Sequence, residues 1–68
     1  MKIDVFIERE NKRLKVDLAK GSTIKSLLEK LKINPVNTLV SINNEICTDQ
    51  EILKENDKVE LFSVVSGG

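Results

Sequence analysis

Residues 21–31 read Gly-Ser-Thr-Ile-Lys-Ser-Leu-Leu-Glu-Lys-Leu, and this stretch predicts the one helix on which the rest of the chain packs. The hydroxyl of Ser22 or Thr23 can accept a hydrogen bond from a free amide of the first turn and so cap the helix. Pro35 disfavours helical geometry at the residue before it, so we expect the helix to end near Lys32. The apolar residues recur with the spacing of a single helical face, which is formed by Ile24, Leu27, Leu28 and Leu31.

Two alternating stretches precede the helix and predict a hairpin. The polar stretch of residues 8–12 contains Asn11 and is expected to form the turn between them. A period of two is typical of strands with one buried face. The apolar positions are Ile3, Val5 and Ile7 in the first strand and Leu14, Val16 and Leu18 in the second.

A second hairpin is predicted after the helix. Residues 39–42 form an apolar run, and residues 45–47 follow after Asn43 and Asn44. Asparagine tolerates a positive φ better than most residues, so the Asn43-Asn44 pair is expected to form a tight turn.

The remaining segment leads to a last strand. Residues 48–56 are polar, and we expect Ile52 and Leu53 to point inward from a short helical turn. Val59 and Leu61 then alternate with charged residues in the last strand.

The order of these elements predicts the fold class. Strand, strand, helix and three further strands indicate an α+β fold, with one main helix packed on a mixed sheet of about five strands. This order is typical of the ubiquitin-like, or β-grasp, topology. We expect a β-grasp domain of residues 1–64 and a flexible tail of residues 65–68.

Composition excludes several classes of function. A domain of this size buries only about 60% of the surface of its unfolded chain, which leaves little room for an enclosed active site. The 68 residues include no histidine and one cysteine, so neither a His/Cys zinc site within the chain nor an internal disulfide is expected. We therefore predict neither a catalytic set nor a metal site.

Charge and hydropathy bear on partners and location. Eleven basic and eleven acidic residues cancel without forming a basic stripe, and the aromatic residues are two phenylalanines. Direct binding of nucleic acid is therefore not expected. The first residues follow a strand pattern and not that of a signal peptide, and no apolar run approaches the roughly 18 residues of a membrane span. We expect no membrane partner and a cytoplasmic location.

The last two residues, Gly67 and Gly68, are the candidate chemical group. A carboxylate is a poor acylating agent until it becomes a mixed anhydride with a phosphate, and an activating enzyme has to reach it through a narrow channel. Glycine has no Cβ, so a Gly-Gly end can approach catalytic groups closely. The alternative is a terminus without a chemical role, because chain ends commonly tolerate change.

The whole chain resembles the ThiS/MoaD sulfur carriers. The helix entry at residues 21–24 and the hairpin of residues 40–46 match in general pattern, and the ending Ser66-Gly67-Gly68 is the specific part. The short length is closer to the thiamine-type carriers and the Ser-Gly-Gly ending to the molybdopterin type. The hairpin differs from the usual Asn-Gly-Glu by having Asn44.

This resemblance implies a carrier that is not an enzyme. A partner enzyme would adenylate Gly68 with ATP and Mg²⁺, with Ser66 and Gly67 threading the tail, and this chain would bind no cofactor of its own. A sulfur donor such as a cysteine desulfurase or a rhodanese-like protein would convert the adenylate to a thiocarboxylate. A downstream synthase would then use the sulfur for a thiamine- or molybdopterin-type cofactor, or for thiolation of transfer RNA.

Two other functions stay open. The chain could be a ubiquitin-like modifier that is joined through Gly68 to lysines of target proteins. It could also be an interaction module with an inert tail, in which case deletion of Gly67 and Gly68 would change nothing.

An apolar patch beside the tail is expected to bind the activating enzyme. Its candidate members are Phe6, Phe62, Val64 and Val65. The alternative places Phe62 in the core through a strand twist or bulge.

Two other groups of side chains are expected to have no chemical role. Cys47 is expected to be a small buried apolar residue. Asp49, Glu51 and Glu55 are expected to be a solvated face, because they lack the ligand spacing of a calcium site.

Overall fold

The computed structural model describes residues 1–63, so the predictions made for Val64, Val65, Ser66, Gly67 and Gly68, including the domain boundary, lie outside the described residues. One helix and five strands are present, with two 3₁₀ turns at Glu8–Glu10 and Pro35–Asn37. The elements are β1 (Lys2–Ile7), β2 (Lys12–Asp17), α1 (Ile24–Lys30), β3 (Thr38–Ile42), β4 (Glu45–Cys47) and β5 (Lys58–Ser63).

The strands form one mixed sheet in the order β2-β1-β5-β3-β4. β1 and β5 are parallel, while the other three pairs are antiparallel. A parallel pair needs a long crossover connection, and the chain between β1 and β5 contains α1. The predicted β-grasp fold, with one helix and a five-stranded mixed sheet, is confirmed.

The core lies between α1 and one face of the sheet. Burying these apolar side chains supplies the main driving force for folding, at about 25 cal/mol per Å² removed from water. All three buried residues of α1 belong to the predicted helical stripe. The buried cluster is formed by Ile3, Val5, Val16, Ile24, Leu27, Leu28, Val40, Leu53, Val59 and Leu61.

The ends of α1 follow the sequence prediction closely. Thr23 caps the helix, because its Oγ1 accepts a hydrogen bond of 3.3 Å from the Ser26 amide. The Ile24 amide donates to the carbonyl of Glu51 over 3.0 Å, which ties the loop after β4 to the first turn. The helix is followed by Lys32 at a φ of 59°, a left-handed conformation that ends helical geometry.

The β3–β4 turn is also confirmed. Asn43 and Asn44 have φ values of 51° and 72°, as a tight two-residue hairpin turn requires. Asp57 holds this turn against the start of β5: its carboxylate accepts from the Asn43 side-chain amide at 3.2 Å and from the Lys54 backbone amide at 2.8 Å. The Asn43 side-chain oxygen in turn accepts from the Lys58 amide over 3.1 Å.

The predicted helical turn in residues 48–56 is wrong. The segment is extended around Ile52, which forms an isolated bridge with Thr23, and Ile52 is 57% exposed. Only Leu53 points inward, and its amide donates to the Ser22 carbonyl. The backbone there pairs with the residues before α1, and this pairing takes the place of hydrogen bonds within a local helix. β2 also ends at Asp17, one residue before the predicted limit.

Candidate functional site

The candidate site is the sheet face opposite α1. Residues i and i+2 of a strand share a face, as do residues directly paired across strands. Leu39 pairs with Phe62, and Ser41 pairs with both Glu60 and Ile46. Glu60 also pairs with Phe6. One face therefore carries four large apolar side chains, which we name the outer patch: Phe6, Leu39, Ile46 and Phe62.

The outer patch is accessible to a partner. Leu39 is 42% exposed and Ile46 is 63% exposed, whereas Phe6 and Phe62 are half-buried. The Arg13 guanidinium carbon lies 5.7 Å from the centre of the Phe6 ring, at the distance of a cation–π contact. Large exposed apolar side chains that share one face are typical of binding surfaces.

Phe62 does not belong to the buried core. The β3–β5 register runs from Thr38–Ser63 to Ile42–Val59 without interruption, so no bulge turns its side chain inward. The alternative interpretation of Phe62 as core is therefore wrong. The structure brings Phe6 and Phe62 to one face, as the predicted patch requires, while the contribution of Val64 and Val65 lies outside the described residues and stays a prediction.

The last described residue, Ser63, lies beside this patch. β5 ends at Ser63, which pairs with Thr38 at the start of β3, and the Leu39–Phe62 pair is the next one along the sheet. A groove of about 300 Å³ opens at the same end, between the residues after α1 and the end of β5. Arg9 and Lys32 lie among its lining residues. A protein that binds the outer patch would thus lie next to the start of the tail.

Sequence reasoning missed two members of the patch. Leu39 lies directly before buried Val40, and two adjacent apolar residues do not show which of them faces the core. Ile46 lies in a strand of three residues, which is too short to show a period. A two-residue turn at Asn43-Asn44 pairs Ser41 with Ile46, and this pairing places both residues on the same face of the sheet.

Cys47 and the nearby carboxylates form no chemical centre. Burial, and to a smaller extent the charge of Glu51, raise the pKa of the Cys47 thiol, which disfavours the reactive thiolate. The Glu55 carboxylate accepts a 2.8 Å hydrogen bond from the Lys2 amide and so fixes the loop before β5. Within residues 1–63, no cluster of three or more His, Cys, Asp or Glu side chains could hold a metal ion.

No helix in the described part of the chain has the length and apolar character needed to cross a membrane.

Comparison with known proteins identifies a family for the chain. The model of the ThiS family matches residues 5–68, which is nearly the whole chain. No curated protein matches the sequence.

Solved structures provide a second comparison. The thiamine biosynthesis protein ThiS of Geobacter metallireducens is 27% identical with a TM-score of 0.72, and each chain is covered to 100%. SAMP1 of Haloferax volcanii is 20% identical with a TM-score of 0.76 and the same full coverage. A ubiquitin of Caldiarchaeum subterraneum is 22% identical with a TM-score of 0.76, covering 100% of this chain and 98% of its own. The last two likenesses show the fold.

Proposed function

The chain belongs to the ThiS family, and on that basis we propose that it carries sulfur on the carboxylate of Gly68. Sulfur carriers of this family are small ubiquitin-like proteins that depend on partner enzymes and are not catalysts themselves. The predicted resemblance to such carriers is thereby confirmed at the level of the family. Adenylation, the thiocarboxylate and the pathway served are the proposal.

The proposed chemistry has three steps. The Gly68 carboxylate attacks the α-phosphorus of ATP in an activating enzyme that uses Mg²⁺, and pyrophosphate leaves. The outer sulfur of a persulfide on a donor protein attacks the carbonyl carbon of the adenylate, and AMP leaves. A thiol then reduces the resulting S–S bond and releases the thiocarboxylate.

One observation supports this proposal: the last described residue, Ser63, is adjacent to Phe62 of the outer patch at the end of β5. Docking of the activating enzyme on Phe6, Leu39 and Phe62 would place the base of the tail against that enzyme. Ser66 and Gly67 would then thread toward ATP. Glycine suits such a channel because it has no side chain to clash with the walls. Val64 and Val65 would extend the apolar contact along the tail.

The proposal includes the other partners. The donor would be a cysteine desulfurase or a rhodanese-like protein, and the receiver a synthase of a thiamine- or molybdopterin-type cofactor or a system that thiolates transfer RNA. A cytoplasmic location stays a prediction. A lysine amine could attack the same adenylate instead of sulfur, which would make the chain a protein modifier.

The test is ATP–pyrophosphate exchange with the adenylating enzyme from the same cells. We expect exchange with the chain that ends at Gly68 and none after deletion of Gly67 and Gly68. Val36→Ala serves as the control, because Val36 is 83% exposed and lies outside the outer patch. Equal exchange with and without the two glycines would contradict the proposal.

A further inference from the structure

The two edges of the sheet differ in their chemistry. β2 forms one edge and exposes Lys12, Arg13 and Lys15, and charged residues of this kind discourage pairing with another strand. The Lys30 ammonium donates to the Asp17 carbonyl at 2.7 Å, which further occupies this edge. The opposite edge is β4, whose three residues include neither lysine nor proline.

A groove with a mixed polar and apolar lining follows the β4 edge. The groove has a volume of about 360 Å³ and lies between β4 and the segment that leads to β5. Ile46 and Ile52 both line it and are 63% and 57% exposed. Packing in the core does not account for an apolar residue at either position, because both side chains are exposed. An open edge strand beside a groove is the arrangement that binds extended peptides by strand addition.

The charges at this edge select the chemistry of the occupant. Three acidic residues and one basic residue line the groove: Glu45, Glu51, Asp57 and Lys54. Glu45 and Glu51 are exposed, and neither takes part in an ion pair among residues 1–63. The second half of the chain is also acidic. Residues 1–32 include nine basic and five acidic residues, whereas residues 33–68 include two basic and six acidic residues. The strand order places the second group at the β4 side of the sheet.

We propose that the β4 edge binds an extended segment of a partner protein in which basic and apolar residues alternate. The segment adds to the sheet as a sixth strand. Its apolar side chains lie on the outer face beside Ile46. Its lysine or arginine side chains lie on the other face, where their stems cover Ile52 and their charges reach Glu45 and Glu51.

The position of this edge gives the proposal a functional consequence. The groove is lined by Asp57, directly before β5, and by Ile42, which pairs with Val59 near the start of β5. The last residue of β5, Ser63, lies at the other end of the strand. Six residues of strand separate the two ends by about 16 Å. Ile46 belongs to both surfaces, whereas Phe6 and Phe62 lie on strands away from the β4 edge. A partner at β4 can therefore stay bound while another enzyme holds the tail through Phe6 and Phe62, and the proposal does not depend on the chemistry at Gly68.

The experiment is a titration of the ¹⁵N-labelled full chain with a capped Lys-Val-Lys-Val-Lys-Val peptide, followed by NMR. We expect the largest shifts at the amides of Glu45, Ile46, Cys47 and Ile52. A capped peptide of alternating lysine and glycine has the same charge without the apolar face, and a glutamate–valine peptide reverses the charge. Both should bind at least about tenfold more weakly, which is the effect of losing about 1.4 kcal/mol.

Variants separate the proposed site from general charge attraction. The double variant Glu45→Lys, Glu51→Lys should raise the Kd of the lysine–valine peptide about tenfold or more, since two attractions become repulsions. The matched double variant Glu8→Lys, Glu29→Lys changes the net charge equally at exposed positions outside the groove and should leave the Kd unchanged. Ile52→Ala should weaken binding without altering amide shifts elsewhere.

Several results would overturn the proposal. These are no binding at millimolar peptide, equal binding of the lysine–glycine peptide, or equal effects of the two double variants. Shifts centred on Phe62 would move the site to the outer patch. Concentration-dependent broadening of the β4 amides without peptide would assign this edge to a second copy of the chain.

Discussion

Replacing Phe62 with alanine should separate docking from folding. Truncation of a fully buried phenylalanine costs about 3–5 kcal/mol of unfolding free energy. Phe62 is half-buried and lies outside the core cluster, so we expect a loss of about 2 kcal/mol. A domain of this length has an unfolding free energy of about 3–10 kcal/mol, and the variant should therefore still fold.

The effect on partner binding should be larger than the effect on structure. If Phe62 anchors the activating enzyme, its removal should cost about 2 kcal/mol or more, which corresponds to a Kd about 30-fold weaker. Isothermal titration calorimetry with the activating enzyme measures this change, and thermal unfolding followed by circular dichroism checks the fold. Val36→Ala removes a far more exposed apolar side chain outside the outer patch and should leave the Kd unchanged.

A second variant keeps the prediction testable if Phe62→Ala unfolds. Leu39 is the cross-strand partner of Phe62 and is 42% exposed, so Leu39→Lys places a charge in the outer patch with little loss of packing. It should also weaken binding at least about tenfold, because a charge is desolvated at the interface. Unchanged affinity in a folded Leu39→Lys variant would refute the docking role of this face.

Three further predictions concern the rest of the chain. Iodoacetamide should alkylate Cys47 more slowly at pH 8 than it alkylates an unstructured cysteine peptide, because the raised pKa leaves less thiolate at any given pH; an equal rate would contradict this. Asn44→Ala should lower the unfolding free energy by about 1 kcal/mol and Asn44→Gly should not, since Asn44 has a φ of 72°; denaturant titration measures both. Asp57→Ala should cost about 1 kcal/mol, as it removes the 2.8 Å acceptor of the exposed Lys54 amide, and faster amide exchange at the Asn43 turn would report this local loss.

The fold was predictable wherever a repeating pattern coincided with a clear end signal. The stripe of α1 was bounded by a capping threonine and by the restriction before Pro35, and its observed limits agree with both. The Asn43-Asn44 pair required positive φ values and has them. In these segments the local preferences of the chain and its burial pattern favour the same structure.

The predictions failed where tertiary pairing decides local structure. Ile52 and Leu53 are adjacent, so no period could show that one is buried and the other exposed. Their conformation follows from pairing with residues beside Thr23, which are distant in sequence. Leu39 and Ile46 were missed as patch residues for a related reason, because the face of each depends on strand register and not on local sequence.

The outer patch and the β4 edge suggest two different roles for one small sheet. The two surfaces share Ile46, but Phe62 of the outer patch lies at the end of β5, whereas the groove includes Asp57 directly before β5. A carrier that passes between an activating enzyme, a sulfur donor and a receiver benefits from separate contact surfaces, since one partner can bind before another leaves.

The most direct test of the carrier function is mass spectrometry of the N-terminally tagged protein recovered from its native cells under denaturing, non-reducing conditions. We predict a species in which sulfur replaces one oxygen of the Gly68 carboxylate. That species should disappear from cells that lack the activating enzyme. Lysine peptides of other proteins joined to this tail, with no thiocarboxylate at Gly68, would contradict the carrier function and assign the chain to the protein modifiers.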